Sequence, residues 1–335
     1  MQRKSTYLLI LFSCLFLFVG NAQDIHFTQY NFSPLVVNPA QTGGFSGTFR
    51  INGIYRDQYR PIVQNAFSTP SFSIDAPIVR GFGKNDWIGI GLMMYSDIRG
   101  GAKFTNNSMK ASLGYHIGFG KSRRSVLSLG FQTGVVQYFL NGTEDDITWE
   151  SELNGAGLGE GGLTGKKTFT DYAGSLLFRT KMNDRTNVFA GFTGRYLLRT
   201  QFGLINTGSS SLPKRYTFVA GGEYLLNKKM IIGGSLIGEF FGISKTAILN
   251  GSVDLLLDQS KNLWLVVGTG YRYRDGVNLR AGVKYKNMEA GIAYDIPVSK
   301  LLTATSIGSI ELGITYIGKI YKRPKTDPVI FCPRF

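Results

Sequence analysis

The chain has 335 residues, a net charge of +15 and a mean hydropathy of −0.01. Glycine accounts for 43 residues, near twice its usual share of about 7%, and aromatic residues account for 13%. No composition shift, Pro/Ser-rich linker or low-complexity tract divides the sequence after Phe45. The length would allow one to three soluble domains, but this uniformity predicts a single one.

The first residues have the pattern of a secretory signal peptide. Arg3 and Lys4 precede an apolar run over residues 7–20, and the small-residue site Gly20-Asn21-Ala22 follows it. The run has 14 residues, whereas a membrane-spanning helix needs about 20, so a retained anchor is the weaker alternative. A lipoprotein site at Cys14 is another alternative, although the apolar run continues past it. We predict cleavage after Ala22, which defines residues 1–22 as the signal peptide.

The segment over residues 23–47 is apolar enough to be buried. Pro34, Pro39 and the Gly43-Gly44 pair prevent it from being one helix or one strand. We therefore expect a stiff, non-helical path. Cleavage after Ala22 leaves Cys332 as the only cysteine, so an intrachain disulfide cannot hold the fold.

From residue 48 onward, apolar residues alternate with polar residues or glycine, as in "IELGITY", where Ile310, Leu312 and Ile314 oppose Glu311 and Gly313. A period of two predicts β-strands. We expect about fourteen of them, at residues 48–59, 68–79, 87–98, 108–119, 125–140, 170–180, 186–197, 214–226, 230–242, 245–257, 263–274, 276–286, 288–297 and 308–319.

Strand length separates two all-β alternatives. Soluble strands are most often about 5 to 6 residues long, whereas a tilted transmembrane strand needs about 9 to 11. The even number of long strands and the secretory signal predict a transmembrane antiparallel β-barrel over residues 48–319. Aromatic residues near the strand ends agree with this prediction: Tyr59, Tyr95, Tyr138, Tyr196, Tyr271 and Tyr316. A secreted soluble β-protein is the alternative.

The connections predict an orientation, since outer-membrane barrels have short periplasmic turns and longer outer loops. The connections after even-numbered strands are all short, and two long ones, 141–169 and 198–213, follow odd-numbered strands. This pattern predicts that both termini are periplasmic, with residues 23–47 as a periplasmic N-terminal segment. It also predicts a periplasmic C-terminal tail at residues 320–335, where Cys332 is a periplasmic thiol.

Basic residues are spread over turns and over the glycine-rich strand faces. This spread favours a positively charged lumen over a nucleic-acid site, which would cluster them on one element. The side chains that we expect to face the lumen are Arg195, Arg272, Arg274, Arg280 and Lys284, with Lys286 beyond them. Such a lumen could favour anions, but side chains this long could equally fill it.

The sequence offers little for catalysis. His26 and His116 have no partner at metal-ligand spacing. The stretch "GEGGLTGKKT", residues 159–168, departs from the phosphate-loop pattern at Glu160 and Lys167, and we interpret it as a flexible loop. Glu144, Asp145 and Asp146 could hold Ca²⁺, although a solvated outer loop explains them better. We predict a protein that is not an enzyme and has no cofactor or metal.

The N-terminal segment contains the motif "FTQYNFSPLVVNPAQTG", residues 27–43, and "YRDQY" follows at residues 55–59. Together these motifs resemble the signature of the PorP/SprF family of type IX secretion system membrane proteins. In that family a Phe-x-Gln-Tyr pattern precedes Asn-Pro-Ala and a glycine, and a Tyr-Arg-x-Gln motif follows, usually with Trp after it. Tyr59 takes the Trp position here, and Asp75-Ala76-Pro77 matches the ending of the next family strand. The matching residues are Phe27, Gln29, Tyr30, Asn38, Pro39, Ala40, Gly43, Tyr55, Arg56 and Gln58.

The resemblance implies an outer-membrane barrel, in contact with outer-membrane lipid, that assists export and surface attachment of a type IX substrate. That substrate is often a large adhesin, sometimes with a role in gliding, and components of the periplasmic secretion ring are further partners. We expect Phe27, Tyr30, Phe32 and Leu35 to pack the N-terminal segment against the barrel, as a plug, a strap or a docking surface. A passive channel or solute transporter is the alternative function, and a soluble surface lectin is a third.

Overall fold

A computed structural model describes residues 25–58, 67–80, 85–100, 103–120, 124–141, 164–198, 201–202, 210–298 and 308–320. Three short helical turns precede a series of strands, and no helix in these ranges is long and apolar enough to cross a membrane. The strands are β1 Phe49–Gln58, β2 Phe67–Arg80, β3 Asp86–Arg99, β4 Phe104–Phe119, β5 Ser125–Asn141, β6 Thr164–Lys181, β7 Thr186–Arg195, β8 Gln201–Phe202, β9 Ser210–Ser211, β10 Arg215–Asn227, β11 Met230–Phe241, β12 Ser244–Asp258, β13 Leu263–Arg272, β14 Gly276–Tyr285, β15 Met288–Pro297 and β16 Ser309–Gly318.

Fourteen of these strands form a closed antiparallel barrel. Each pairs with its sequence neighbours, β7 pairs with β10, and β1 closes the barrel against β16 from Phe49↔Gly318 to Gln58↔Ser309. The short strands β8 and β9 pair only with each other. The prediction of a fourteen-stranded barrel is therefore confirmed.

The largest difference from the predicted boundaries is at β6, which begins at Thr164 instead of residue 170. Residues Thr164 to Thr168 pair with the end of β5, from Asn141↔Thr164 to Gln137↔Thr168. The interpretation of 159–168 as a flexible loop is therefore wrong for its second half. Glycine and lysine are unusual strand residues, but pairing with β5 continues across them. Glu144, Asp145 and Asp146 lie outside the described residues.

The two faces of the wall follow the alternation in the sequence. On β16, Ile310, Leu312 and Ile314 are 45–52% exposed on the outside, while Glu311 between them is fully buried. The same contrast recurs around the barrel, so the apolar face is outside, where the bilayer would contact it.

The tyrosines near the strand ends lie on both faces of the barrel wall. Tyr271 and Tyr316 are on the outer face, but Tyr95, Tyr138 and Tyr196 are at most 8% exposed and lie inside the barrel. Tyr59 lies outside the described residues. These three tyrosines therefore do not face the lipid, although their positions near strand ends agreed with a barrel. Inside the barrel, packing against neighbouring side chains replaces contact with the lipid interface.

The barrel has two different ends, which we name by their connections. The short-turn end carries connections such as 228–229 and 286–287, and the long-connection end carries 142–163 and 196–214. The last described residues leave β16 at the short-turn end, where the Ile320 N–H donates to Thr48 Oγ1 at 2.9 Å. Residues 321–335, including Cys332, lie outside the described residues.

The N-terminal segment runs through the lumen between the two ends. Ile25 lies at the long-connection end, where its carbonyl accepts a 2.8 Å hydrogen bond from Arg215 at the start of β10. The segment then descends to Thr48 at the short-turn end. Residues 25–47 lie inside the barrel, so the prediction that residues 23–47 form a periplasmic N-terminal segment is wrong for them. An even number of strands places residues 48 and 319 at the same end of the barrel, but it does not determine where the chain before residue 48 lies. Ile25 and Ile320, the first and last described residues, therefore lie at opposite ends of the barrel.

Candidate functional site

The candidate functional site is the N-terminal segment, residues 25–48, together with the inward side chains that bind it. Its local fold corrects the expectation of a non-helical path. Pro34 begins the helical turn Pro34–Val37 and Pro39 begins the 3-10 turn Pro39–Gln41. Proline suits the first position of a helix, because its fixed φ fits and its missing N–H would have no partner there. Asn38 caps the second turn by accepting from the Ala40 N–H at 2.9 Å.

One carboxylate binds the start of this segment. Glu311, at the inner face of β16, accepts hydrogen bonds from two successive backbone N–H groups, Thr28 at 2.8 Å and Gln29 at 2.9 Å. The Gln29 side chain also donates to the Glu311 carbonyl at 3.2 Å. This explains why a glutamine at position 29 fits: it spans from the segment to the strand that closes the barrel.

Arginines compensate that buried carboxylate. Arg56 Nε lies 3.5 Å from Glu311, and Arg56 also donates to the His26 carbonyl. Asp295 accepts from Arg272 at 2.7 Å and from the Thr28 hydroxyl at 2.8 Å. Buried charges need such pairing, since an isolated ion is costly to desolvate. We name Glu311, Arg56, Asp295 and Arg272 the first anchor.

A second anchor binds the segment near the short-turn end. Asp75 accepts from the Gly43 N–H at 2.7 Å and from Arg50 through both oxygens, at 3.0 and 2.8 Å. Trp87 donates to the Gly43 carbonyl at 2.9 Å, and His116 contacts the Thr42 carbonyl at 2.7 Å. We use the name second anchor for Asp75, Arg50, Trp87 and His116.

Glycines make room for the backbone at this second anchor. Gly43 has φ +71°, a conformation that favours glycine. A Cβ added to Gly89 on β3 would lie 2.6 Å from the Gly43 Cα, which is too close for any side chain. The glycine-rich inner face therefore makes room for the segment as well as forming the wall.

Apolar packing fills the space between the anchors. Phe27, Phe32, Leu35 and Val36 form a buried cluster with wall residues that include Met93. Tyr30 lies on the opposite side, against Val219, Ile237 and Ile248. The segment thus contacts opposite walls of the lumen, which is the geometry of a plug.

Inward arginines hold the main chain of the plug. Each donates to backbone carbonyl groups, which a chain without regular structure leaves unsatisfied. The pairs are Arg50 with Gln41 at 3.0 Å, Arg179 with Gly44 at 2.7 Å, Arg215 with Ile25 at 2.8 Å, Arg195 with Val36 and Arg56 with His26. Much of the basic charge inside the barrel therefore binds a polypeptide backbone.

The structure brings most of the residues singled out from the sequence into this plug. Phe27, Gln29, Asn38 and Ala40 are buried, and the Ala40 N–H donates to Ser175 at 2.8 Å. Tyr55 differs, because it points outward and is 40% exposed. Gln58 is the last residue of β1 and is half-buried.

The residues expected in the lumen divide into two groups. Arg195 and Arg272 bind the plug, and Arg280 and Lys284 lie on the inner wall, where Lys284 donates to Asp254 at 2.7 Å. The prediction that Arg274 faces the lumen is wrong. Arg274 lies in the exposed turn after β13, with φ +61° and its guanidinium over the Tyr273 ring. Lys286 likewise lies in the turn after β14. The strands end earlier than the alternation suggested.

The acidic partners were missed in the sequence. Glu311 and Asp295 were not assigned a role, Asp75 was noted only as part of a family strand ending, and Arg50 and Arg215 were not singled out. A signal was present, since an ionisable residue inside a transmembrane strand marks a functional or structural site by default. Alternation alone placed Glu311 and Asp295 on the polar face and did not show what they bind.

The family follows from a match over nearly the whole chain. Residues 19–316 match the family of type IX secretion system membrane proteins PorP/SprF. The chain belongs to the PorP/SprF family. No curated protein matches the sequence significantly.

Solved outer-membrane barrels share the fold. The Ralstonia pickettii toluene transporter TbuX is 13% identical with a TM-score of 0.51, over 90% of this chain and 96% of that one. The Pseudomonas putida toluene transporter TodX is 10% identical with a TM-score of 0.50, over 89% and 95%. A Pseudomonas aeruginosa FadL homologue is 10% identical with a TM-score of 0.51, over 83% and 92%. At this identity the likeness shows the fold alone. The family is one of secretion system membrane proteins, and TbuX and TodX are toluene transporters.

Proposed function

We propose that this PorP/SprF protein is a non-catalytic outer-membrane accessory of type IX secretion. It supports export and surface attachment of a large secreted partner, such as an adhesin that cells use in gliding. The dimensions support residence in the outer membrane. Ten-residue strands such as β1 and β16, at about 3.4 Å per residue and a tilt near 45°, cover about 24 Å, close to the apolar band of such barrels.

The observation that carries the proposal is the plug. Ionic anchors, buried aromatic residues and arginine contacts fix residues 25–48 across the lumen. A barrel whose lumen is crossed by its own N-terminal segment is suited to act through its two mouths and its outer surface. The long-connection mouth then meets the exported partner, and the short-turn mouth meets the periplasmic secretion ring.

The test is deletion of the gene and complementation with this chain. We expect the deletion strain to lose the surface-attached partner while general outer-membrane composition is unchanged, and complementation to restore it. Surface proteins would be compared by mass spectrometry after protease shaving of intact cells. An unchanged surface proteome would contradict the proposal.

The runner-up is a passive channel for hydrophobic solutes, favoured by the fold shared with toluene transporters. Planar-bilayer conductance and toluene uptake separate the two functions. A secretion defect without conductance supports the accessory function. Stable conductance of the purified protein, with secretion intact in the deletion strain, supports the channel.

The orientation is a further part of the proposal, with the short-turn end in the periplasm. Two exposed lysines offer a matched pair, Lys103 at the long-connection end and Lys229 at the short-turn end. In a background with Cys332→Ser, Lys103→Cys should react with an impermeant maleimide on intact cells, and Lys229→Cys only after permeabilisation. The native Cys332 should behave like Lys229→Cys. The reverse pattern would invert the orientation.

A further inference from the structure

The wall of the barrel has a step between β6 and β7. β6 pairs with β5 along its whole length, from Asn141↔Thr164 to Ser125↔Thr180. It pairs with β7 only from Gly174↔Gly194 to Lys181↔Asn187. The first ten residues of β6, Thr164 to Ala173, therefore extend beyond the paired part of β7. No other described strand pairs with this side of them.

The segment directly after β7 turns away from β6 at Tyr196, and buried side chains hold this turn in place. Tyr196, directly after β7, has φ +53°, which is uncommon for a residue other than glycine. Its N–H donates to Asp171 on β6 at 2.9 Å, and Lys110 pairs with the same buried carboxylate. The Leu197 N–H donates to the Tyr172 carbonyl at 3.3 Å, and beyond this hydrogen bond the chain turns away from β6.

The Tyr172 contact identifies the open hydrogen-bonding groups. In an antiparallel ladder, alternate residues direct both N–H and C=O to the same side. Because the Tyr172 carbonyl points toward the β7 side, the backbone groups of Thr170, Thr168 and Lys166 point there too. This stretch, which we name the β6 edge, offers three N–H donors and three C=O acceptors.

The surroundings place the β6 edge in water and keep it rigid. Outward residues lower on β6 are apolar, as Leu176 and Phe178, whereas Lys166, Thr168 and Thr170 are exposed polar residues. On the inner side a row of aromatic rings supports the hairpin. The ring centroids are 5.6 to 6.4 Å apart along Phe104, Tyr138, Phe169, Tyr196 and Phe241.

We propose that the β6 edge binds an extended segment of a partner polypeptide by strand addition. Main-chain hydrogen bonds supply the affinity in this mode of recognition, and alternate side chains supply specificity. Lys166 favours an acidic residue on the incoming strand. Lysine at an edge also discourages pairing of two copies, since both would bring the same charge. This inference rests on the proposed function, because it gives the exported partner its docking site.

The first experiment measures amide hydrogen exchange of the purified barrel in detergent. The amides of Lys166, Thr168 and Thr170 should exchange at least 100-fold faster than those of Lys167 and Phe169, which bond to β5. Equal protection of both sets would mean that this chain itself covers the edge, and the inference would be wrong.

The second experiment places a photo-crosslinking amino acid at Thr170 in living cells. It compares two substitutions at Thr168, each combined with this probe. Thr168→Pro removes one open N–H without removing a bond to β5, whereas Thr168→Val keeps the N–H. We expect a crosslink to a different polypeptide that changes less than twofold in T168V and falls at least tenfold in T168P. The same probe at bilayer-facing Leu176 should give no such product.

Folding of each variant is checked by heat-modifiable gel migration. If T168P does not assemble, Lys166→Pro replaces it. This change also removes an open N–H group of the β6 edge, but at a position nearer the end of the strand. Crosslinks within this chain, crosslinks between two copies, or equal effects of T168P and T168V overturn the inference. Loss of secretion in the deletion strain together with any of these results would leave the proposed function standing and remove only this docking mode.

Discussion

The two anchors of the plug solve the same problem over very different distances in sequence. In each, a buried carboxylate accepts from the backbone of the plug, through one N–H group at Asp75 and two at Glu311, and an arginine compensates its charge. At the second anchor Gly43 and Asp75 are 32 residues apart, and Arg50 and Asp75 are 25 apart. At the first anchor Thr28 and Glu311 are 283 residues apart. The second anchor needs only β1 to β4, whereas the first needs the last two strands.

This difference ties the plug to barrel closure. β1 and β16 are neighbours only in the closed barrel, and Arg56 on β1 bridges to Glu311 on β16. Non-local contacts form after the chain entropy of loop closure has been overcome. We therefore expect the short-turn part of the plug to be placed first, and the part near Ile25 to be fixed when the barrel closes.

The largest effect should come from Glu311→Ala. The change leaves two buried N–H groups and Arg56 without their acceptor, and breaking a buried ion pair costs about 3–5 kcal/mol. The free energy of unfolding in urea, followed by gel migration, measures it. Leu312→Met, on the lipid side of the same strand, is the control. A loss no greater than that of the control would show that the first anchor is dispensable.

Asp75→Asn should cost less. The amide oxygen can still accept from Gly43, so the main loss is the charge opposite Arg50, about 1.5–3 kcal/mol for a charged hydrogen bond. The same urea titration applies. If Asp75→Asn destabilises more than Glu311→Ala, the second anchor is the stronger one and the expected order of the two anchors is reversed.

Gly89→Ala tests the close approach of the plug at the second anchor. The new methyl would lie 2.6 Å from the Gly43 Cα, and overpacking of this kind costs about 1–3 kcal/mol. Gly251→Ala is the matched control, because its added Cβ has no atom within 4 Å. Equal urea midpoints for the two variants would mean that the plug shifts freely at Gly43.

Arg280→Leu should have the smallest effect on stability. Arg280 donates to the Gly251 carbonyl at 3.0 Å from a partly exposed position, outside both anchors, so we expect a change within about 0.5 kcal/mol. Any effect should appear in bilayer conductance or partner attachment. A loss as large as that of Asp75→Asn would add this part of the wall to the anchors.

The sequence by itself determined the barrel. Its period of two, strand lengths and turn positions are local properties, and together they predicted fourteen strands and their order. The motif residues Phe27, Gln29, Asn38 and Gly43 also marked the N-terminal segment as special. The sequence-based boundaries were wrong at two places. Residues Thr164 to Thr168 are in β6 because they pair with β5, despite the low strand propensity of glycine and lysine, and β13 ends before Arg274.

Only the tertiary structure decided where the segment lies and which side chains bind it. Alternation assigns Glu311 and Asp295 to the inner face, but contact between Glu311 and Thr28 exists only after closure brings the last strand beside the first. The same closure converts a lumen predicted to be basic into one whose arginines bind backbone carbonyls. Long-range pairing of this kind depends on the register of the whole ladder, which no local pattern contains.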